Sequence, residues 1–387
     1  MEFEEIRKIF LKAEISPLVL GQDDVKRQVK SALVSGRHMI IVGPPGVGKT
    51  TLAKDIATHL PEAKESYNVF DLISVDDRFS KSDKNKNSKF SNKNEASGSL
   101  VRKELDSSDS KSKSSKLNSN HKISSSSRFI RVQGSPDLTA EDLIGDIDPI
   151  NAMKYGPLSV EAFTPGKIFK AHNGILFFDE VNRCSEKLQN SLLQVLEEGK
   201  ATVGSYEVDF KADFIFIGTM NPKDFSTENL SDVFLDRFDL INMHYPENLE
   251  IEKQIVLDKS KILLNMSNKQ NKKLLHIIVA YVRSLRNSSK LEKFPSVRAT
   301  IGVFERSQAN ALIDGRVKMI AQDFKEALES VLSHRIKLKP SVKYLQSPNE
   351  VLDEELKSFT KANNIDMESL SSEDSSETPD DASGEYG

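Results

Sequence analysis

The chain has 387 residues, 37% of them hydrophobic and 29% charged, with a formal net charge of -4 at pH 7. That length accommodates a large domain and a smaller second one, and the charge gives no overall drive toward nucleic acid. Cys184 is the only cysteine, which excludes an intrachain disulfide and a cysteine-built zinc cluster and fits a reducing, cytoplasmic compartment.

The opening MEFEEIRKIFLKAE is acidic and amphipathic, unlike a secretory signal. Its spacing predicts a helix over residues 3–15, and a second helix is predicted over 23–34, ending near Ser35 and Gly36. An apolar strand at 38–42 leads into a glycine-rich turn at 43–48 and a helix from Lys49 to about Leu60. Residues 69–75 read as a buried strand. Residues 79–127 are mainly Ser, Lys and Asn, with eleven Lys/Arg against five Asp/Glu, and they cannot bury enough apolar surface to offset the entropy of ordering.

Apolar alternation resumes with FIRVQG from Phe129. Residues 175–178 are wholly apolar, as expected at the centre of a parallel sheet covered on both faces. A helix at 186–198 carries Leu188, Leu192, Val195 and Leu196 on one side, and 201–210, with Gly204 and Ser205, reads as a hairpin. Core strands are predicted at 214–218 and 239–243. From Leu249 the pattern is helical, at 274–285, 298–313 and 321–332, and ends near Pro340. Residues 366–387 hold eight acidic side chains and no Lys or Arg. No run reaches the roughly 18 to 20 apolar residues needed to span a bilayer, so no membrane insertion is expected. The organisation implied is an α/β nucleotide-binding core with a parallel sheet over 1–250, an all-helical lid over 251–345 and an acidic, partly disordered tail over 346–387.

Gly43-Pro44-Pro45-Gly46-Val47-Gly48-Lys49-Thr50 fits G-x-x-x-x-G-K-[ST] between a predicted strand and a predicted helix, the context that makes the motif specific. Its backbone N–H groups and the following helix N-terminus would cradle phosphates, with Thr51 in the first turn. Lys49 would reach the β/γ-phosphates and the Thr50 hydroxyl would coordinate Mg²⁺. ILFFDE then projects Asp179 and Glu180 from a strand end into the crevice where open α/β sheets bind ligands. Asp179 is the candidate holder of Mg²⁺ from outside its direct ligands, and Glu180 the candidate base that orients and polarises the attacking water; the bland reading of the pair is a helix cap. Thr219 and Asn221 are placed at a neighbouring strand tip, where an amide can bond water or a γ-phosphate, although Asn-Pro is also ordinary loop chemistry. Arg237 follows a short helix and is a candidate cation for a neighbouring subunit's γ-phosphate. Arg298 opens a lid helix, and Arg183 lies four residues beyond Asp179. For each arginine the alternative is a surface ion pair worth under about 1 kcal/mol.

These pieces together resemble the AAA+ ATPases of the MoxR and magnesium-chelatase I-subunit group, over about residues 15–340 without the 79–127 insert. VLGQDDVKRQVKSALVSGRHMIIVGPPGVGKT is similar to the family's opening through Walker A, and GKIFKAHNGILFFDEVNR to the stretch around Walker B. GTMNP resembles sensor 1, FLDRFDL the arginine-finger segment, and PSVRATIGVFERSQANALIDGR the sensor-2 helix. The resemblance implies ATP and Mg²⁺ as ligands, Asn221 as sensor 1, Arg237 as a finger acting in trans and Arg298 as sensor 2. It likens 145–169 to the family's insertion before Walker B and 199–210 to its hairpin before sensor 1. It also implies a homo-oligomeric ring, expected to be hexameric, and a client protein containing a von Willebrand A domain. The function expected is remodelling or maturation of such a partner. Two alternatives stand beside it: a magnesium-chelatase ATPase subunit, and a DNA-remodelling or helicase motor. The last is disfavoured by a hairpin with Lys200 set against Glu207 and Asp209.

Overall fold

The computed structural model describes residues 3–60, 128–156, 162–202, 209–222 and 230–370. The strand expected at 69–75, the insert at 79–127, the hairpin tip with Gly204 and Ser205, and the end of the acidic tail lie outside the described residues.

Helices α1 (Phe3–Lys12) and α2 (Asp23–Ser35) precede strand β1 (Met39–Val42), and α3 (Lys49–Thr58) follows it. The first helix stops three residues short of its expected end, and α2 ends where Gly36 adopts the left-handed conformation and donates to Ala32 and Leu33. Strand β2 (Phe129–Gln133) leads to α4 (Ala140–Ile144), whose N-cap Thr139 forms a capping box with Asp142. The stretch likened to a family insertion contains the ribbon of β3 (Gly145–Ile147) and β4 (Phe163–Pro165), with α5 (Pro149–Tyr155) between them and α6 (Lys167–Lys170) after. Strand β5 (Ile175–Asp179) is followed by a single 3₁₀ turn (Val181–Arg183) and α7 (Glu186–Glu198). Strands β6 (Lys200–Thr202) and β7 (Asp209–Lys211) pair antiparallel; then come β8 (Ile215–Met220), α8 (Asp232–Leu235) and β9 (Asp239–Asn242).

Five strands form one parallel sheet in the order β2-β5-β8-β1-β9. The period-two alternation of strand side chains divides its apolar residues between two faces. Ile175 and Phe177 join Met39, Ile41 and Ile217 under α1, α2 and α3, whereas Leu176 and Phe178 join Ile40 and Phe216 under α4, α6 and α7. Burial on both faces is why β5 is uninterrupted by a polar residue until its last position. The order steps from β2 through β5 to β8, while β1 sits between β8 and β9, so the carboxyl end of β1 opens at the point where successive strands change side.

The remaining chain packs as a separate helical core. It comprises α9 (Leu249–Lys259), α10 (Lys269–Leu285), α11 (Val297–Ile313) and α12 (Ala321–Leu332), with buried Leu274, Ile278, Tyr281, Phe304 and Phe324. The expected helical unit is present and also carries a small antiparallel ribbon of β10 (Leu291–Lys293) and β11 (Lys337–Leu338). Beyond residue 345, where a tail was expected, α14 (Pro348–Ala362), which follows the short α13 (Pro340–Lys343), buries Val351, Leu352 and Leu356 in the same core, and Leu370 joins them. Acid-rich composition masked an amphipathic helix that starts with a Ser347–Glu350 capping box.

A buried charge cluster ties this unit to the segment leaving β9. Glu252, fully buried, accepts from Arg283 at 3.0 Å, from Arg286 at 2.7 and 2.8 Å, and from the Thr300 hydroxyl at 2.9 Å. Arg283 also donates to the carbonyls of Pro246, Glu247 and Asn248, and Arg286 lies over the Tyr245 ring. The ion pairs are complete on both sides, the condition under which buried charge is tolerated.

Candidate nucleotide site

The turn after β1 can fold as it does because Gly46 and Gly48 have φ values of 78° and 105°, a region that side chains bearing a Cβ avoid. Met39 to Val42 bury the strand beneath it, and α3 begins at Lys49, so the turn's N–H groups and the helix N-terminus converge. A cavity of about 320 Å³ opens there. It brings together Pro45, Gly46, Val47, Gly48, Lys49, Thr50, Thr51, Asp179, Glu180, Asn221 and Arg298, residues separated by up to 253 positions (298 − 45) in the chain. Gly43 and Pro44 stand outside that lining; Pro44 lines an adjoining cavity of about 1050 Å³, together with Arg183.

Lys49 donates from Nζ to the carbonyls of Gly43 at 2.5 Å and Pro44 at 3.0 Å. Burial lowers its pKa to about 8, against the opposing pull of Asp179 and Glu180 and with a smaller push from Arg298. A half-buried ammonium at the mouth of the turn is thus poised to gain from an anion. Arg298, second residue of α11, lies close over the turn, its Cγ 3.1 Å from where a Cβ on Gly46 would stand. The other end of the cavity is apolar, with Leu18, Val19, Ile255, Val297 and Ile301, a lining suited to a flat heterocycle. Gln22, also in the lining, donates to the His244 carbonyl at 2.7 Å.

The two acids at the end of β5, Asp179 as its last residue and Glu180 directly after, share one neighbour and differ in the others. The hydroxyl of Thr219, wholly buried on β8, donates to Asp179 Oδ1 at 2.6 Å and accepts from the Glu180 N–H at 2.9 Å. Glu180 has φ 58°, an uncommon conformation for a residue with a side chain and one that concentrates at functional positions. Its Oε2 accepts from Gln133 Nε2 at 2.9 Å and lies 3.1 Å from Arg183 Nη1. Asp179 Oδ2 accepts from Arg131 Nη2 at 2.6 Å. Arg131 and Gln133 were not singled out in the sequence; their place on alternate positions of an otherwise apolar strand was the available signal. Arg237 does not reach the cavity. It pairs with Glu197 on α7 through Nε at 2.6 Å and through Nη2, and donates to the Val233 carbonyl at 2.8 Å.

Thr50 and Asp179 supply one neutral and one anionic oxygen facing one cavity, a donor set that fits a hard dication completed by phosphate oxygens. Among the described residues no group of three or more His, Cys, Asp or Glu could hold a metal by itself. No helix of the described residues is long and apolar enough to cross a membrane.

Three family models match successive stretches of the chain. Magnesium chelatase, subunit ChlI, matches residues 17–101; the AAA domain of the dynein-related subfamily matches 113–238; and the AAA lid domain matches 293–355. An uncharacterized protein, YeaC, of Bacillus subtilis is 29% identical over 254 residues, 60% of this chain and 77% of its own. A magnesium-chelatase subunit ChlI homolog of Methanocaldococcus jannaschii is 29% identical over 269 residues, 63% of this chain and 71% of its own. Chaperone MoxR1 of Mycobacterium tuberculosis is 27% identical over 238 residues, 54% of this chain and 61% of its own.

Proposed function

Because the chain belongs to the AAA+ ATPases of the MoxR and magnesium-chelatase subunit I group, we propose that it is an ATP-hydrolysing, ring-forming motor that remodels or matures a partner carrying a von Willebrand A domain. The observation that carries this reading is the single cavity on which the phosphate-binding turn, the two β5 acids, Asn221 and Arg298 converge. Magnesium, when bound, neutralises charge between phosphate oxygens, and Thr50 and Asp179 are the residues that would hold it.

In this reading the backbone N–H groups of the turn grip the triphosphate, and Lys49 leaves the Gly43 and Pro44 carbonyls for phosphate oxygens. Glu180 takes the proton of the attacking water as its oxygen adds to the γ-phosphorus and the bond to the ADP oxygen breaks. Thr219 fixes the Glu180 backbone during that transfer. Asn221 holds the water or the γ-phosphate. Arg298 carries the state of the nucleotide into α11, and Thr300, two residues on, is bonded to Glu252, whose cluster ties the helical unit to the segment leaving β9. Arg237, held by Glu197 away from its own cavity, would act on the nucleotide of an adjacent subunit. That arrangement couples turnover to a homo-oligomeric ring, with six subunits as the family expectation and the cytoplasm as its setting. The core then extends to about residue 250, and the lid includes α14.

The match of residues 17–101 to a magnesium-chelatase subunit favours a second reading, in which the same motor serves metal insertion into a porphyrin. A Glu180→Gln trap that holds ATP without turnover separates the readings by capture. Recovery of a von Willebrand A protein supports remodelling, co-purification with porphyrin-binding subunits supports chelation, and salt-sensitive stimulation of the wild-type ATPase by DNA contradicts both.

A further inference from the structure

Strand β2, first in the sheet order of the described residues, places a cation on the acid assigned to magnesium. In the register of the two parallel strands Arg131 is level with Phe177, so Asp179 stands two residues further along the same face. Both Asp179 oxygens are engaged: Oδ2 by the Arg131 guanidinium and Oδ1 by the Thr219 hydroxyl, each at 2.6 Å. Glu180 is countered in the same manner by Arg183, so two carboxylates face two guanidinium groups. Lys49 and Arg298 add positive charge to the cavity wall. Such a balance offers a bare dication no net negative charge.

We infer that Arg131 competes with magnesium for the Asp179 carboxylate, so that the metal is taken up with the nucleotide and not ahead of it. The inference rests on the assignment of Asp179 to the metal made above. A dication approaching Oδ2 must displace the guanidinium or share the carboxylate with a like charge, and either outcome lowers metal affinity. Thr219 orients Asp179 through the other oxygen, and the carboxylate therefore keeps its place when Arg131 is removed. The Arg131 side chain is 49% exposed, so the effect belongs with solvated ion pairs, about two- to fivefold in affinity.

The test uses the full chain and a fluorescent ADP analogue, with affinity measured in chelator and then across a magnesium titration. Arg131→Met should lower the half-saturating magnesium concentration about two- to fivefold and leave magnesium-free ADP affinity unchanged. Arg131→Lys, which keeps the charge, should titrate close to wild type. An unmoved or raised magnesium midpoint in the Met variant overturns the inference, as does a parallel loss of magnesium-free affinity. Should Arg131→Met melt early, Arg131→Gln carries the same expectation with a polar side chain in place. Wild-type protein that binds no ADP at all overturns the ATPase reading itself, whereas wild-type binding with an unmoved midpoint overturns only the role of Arg131.

Discussion

Lys49 gives the site a pH signature that can be worked out from its surroundings. Burial holds the ammonium at a pKa of about 8, below the ordinary lysine value of 10.5, with Asp179 and Glu180 opposing the shift. A triphosphate in the turn adds negative charge next to it and raises that pKa, so binding takes up protons wherever free Lys49 is partly neutral. Full protonation of the bound form implies uptake of about 0.1 proton at pH 7, about 0.5 at pH 8 and about 0.9 at pH 9. By the same linkage, ATP affinity is near its full value below pH 8 and falls about tenfold between pH 7 and pH 9. Calorimetric titration of ATP in pairs of buffers with different ionisation heats reads the uptake directly. Zero uptake at pH 8 together with flat affinity up to pH 9 would refute the burial argument. Folding has the opposite sign: the folded chain binds fewer protons at Lys49 than the unfolded chain between about 8 and 10.5, so this residue's contribution to stability becomes more favourable as pH rises through that window.

Three further outcomes follow from named contacts. Arg237→Ala should leave ATP binding intact and remove most turnover, by about a thousandfold if the arginine acts in trans; steady-state hydrolysis at the wild-type rate would contradict that role. Glu252→Ala strips the partner from Arg283 and Arg286 in a buried site and should cost about 3 to 5 kcal/mol in denaturant unfolding of the helical unit, with a loss under about 1 kcal/mol counting against the cluster. Leu352→Ala, in α14, should cost about 2 to 5 kcal/mol; a chain cut at 345 that melts like wild type would contradict a place for α14 in that core.

The glycine-rich turn after β1 and strand β5 were legible because their signals are local. Glycines at fixed spacing lie between a four-residue apolar run and a helix, and a second apolar run ends in two acids. The partners of those acids were not legible, since Arg131 and Gln133 meet Asp179 and Glu180 only through the register of β2 on β5, across 48 and 47 positions of chain. Thr219 was seen at the strand tip with Asn221, but its bonds to both acids depend on β8 lying beside β5. The three-residue strands β3, β4 and β10 carry too little periodicity to be read. For α14 the signal was present in Ser347, Glu350 and the apolar spacing of Val351, Leu352 and Leu356, but the acid content of the C-terminal region outweighed it.

Central to this account is an ATP molecule held by the turn after β1 and hydrolysed by a water that Glu180 polarises. Phosphate release and equilibrium ATP binding, measured side by side for wild type and Glu180→Gln, address it most directly. The account predicts binding within a few-fold of wild type and release slowed by about a hundredfold or more, the scale of a lost general base. Equal release from both proteins, or ATP binding absent from both, would contradict it.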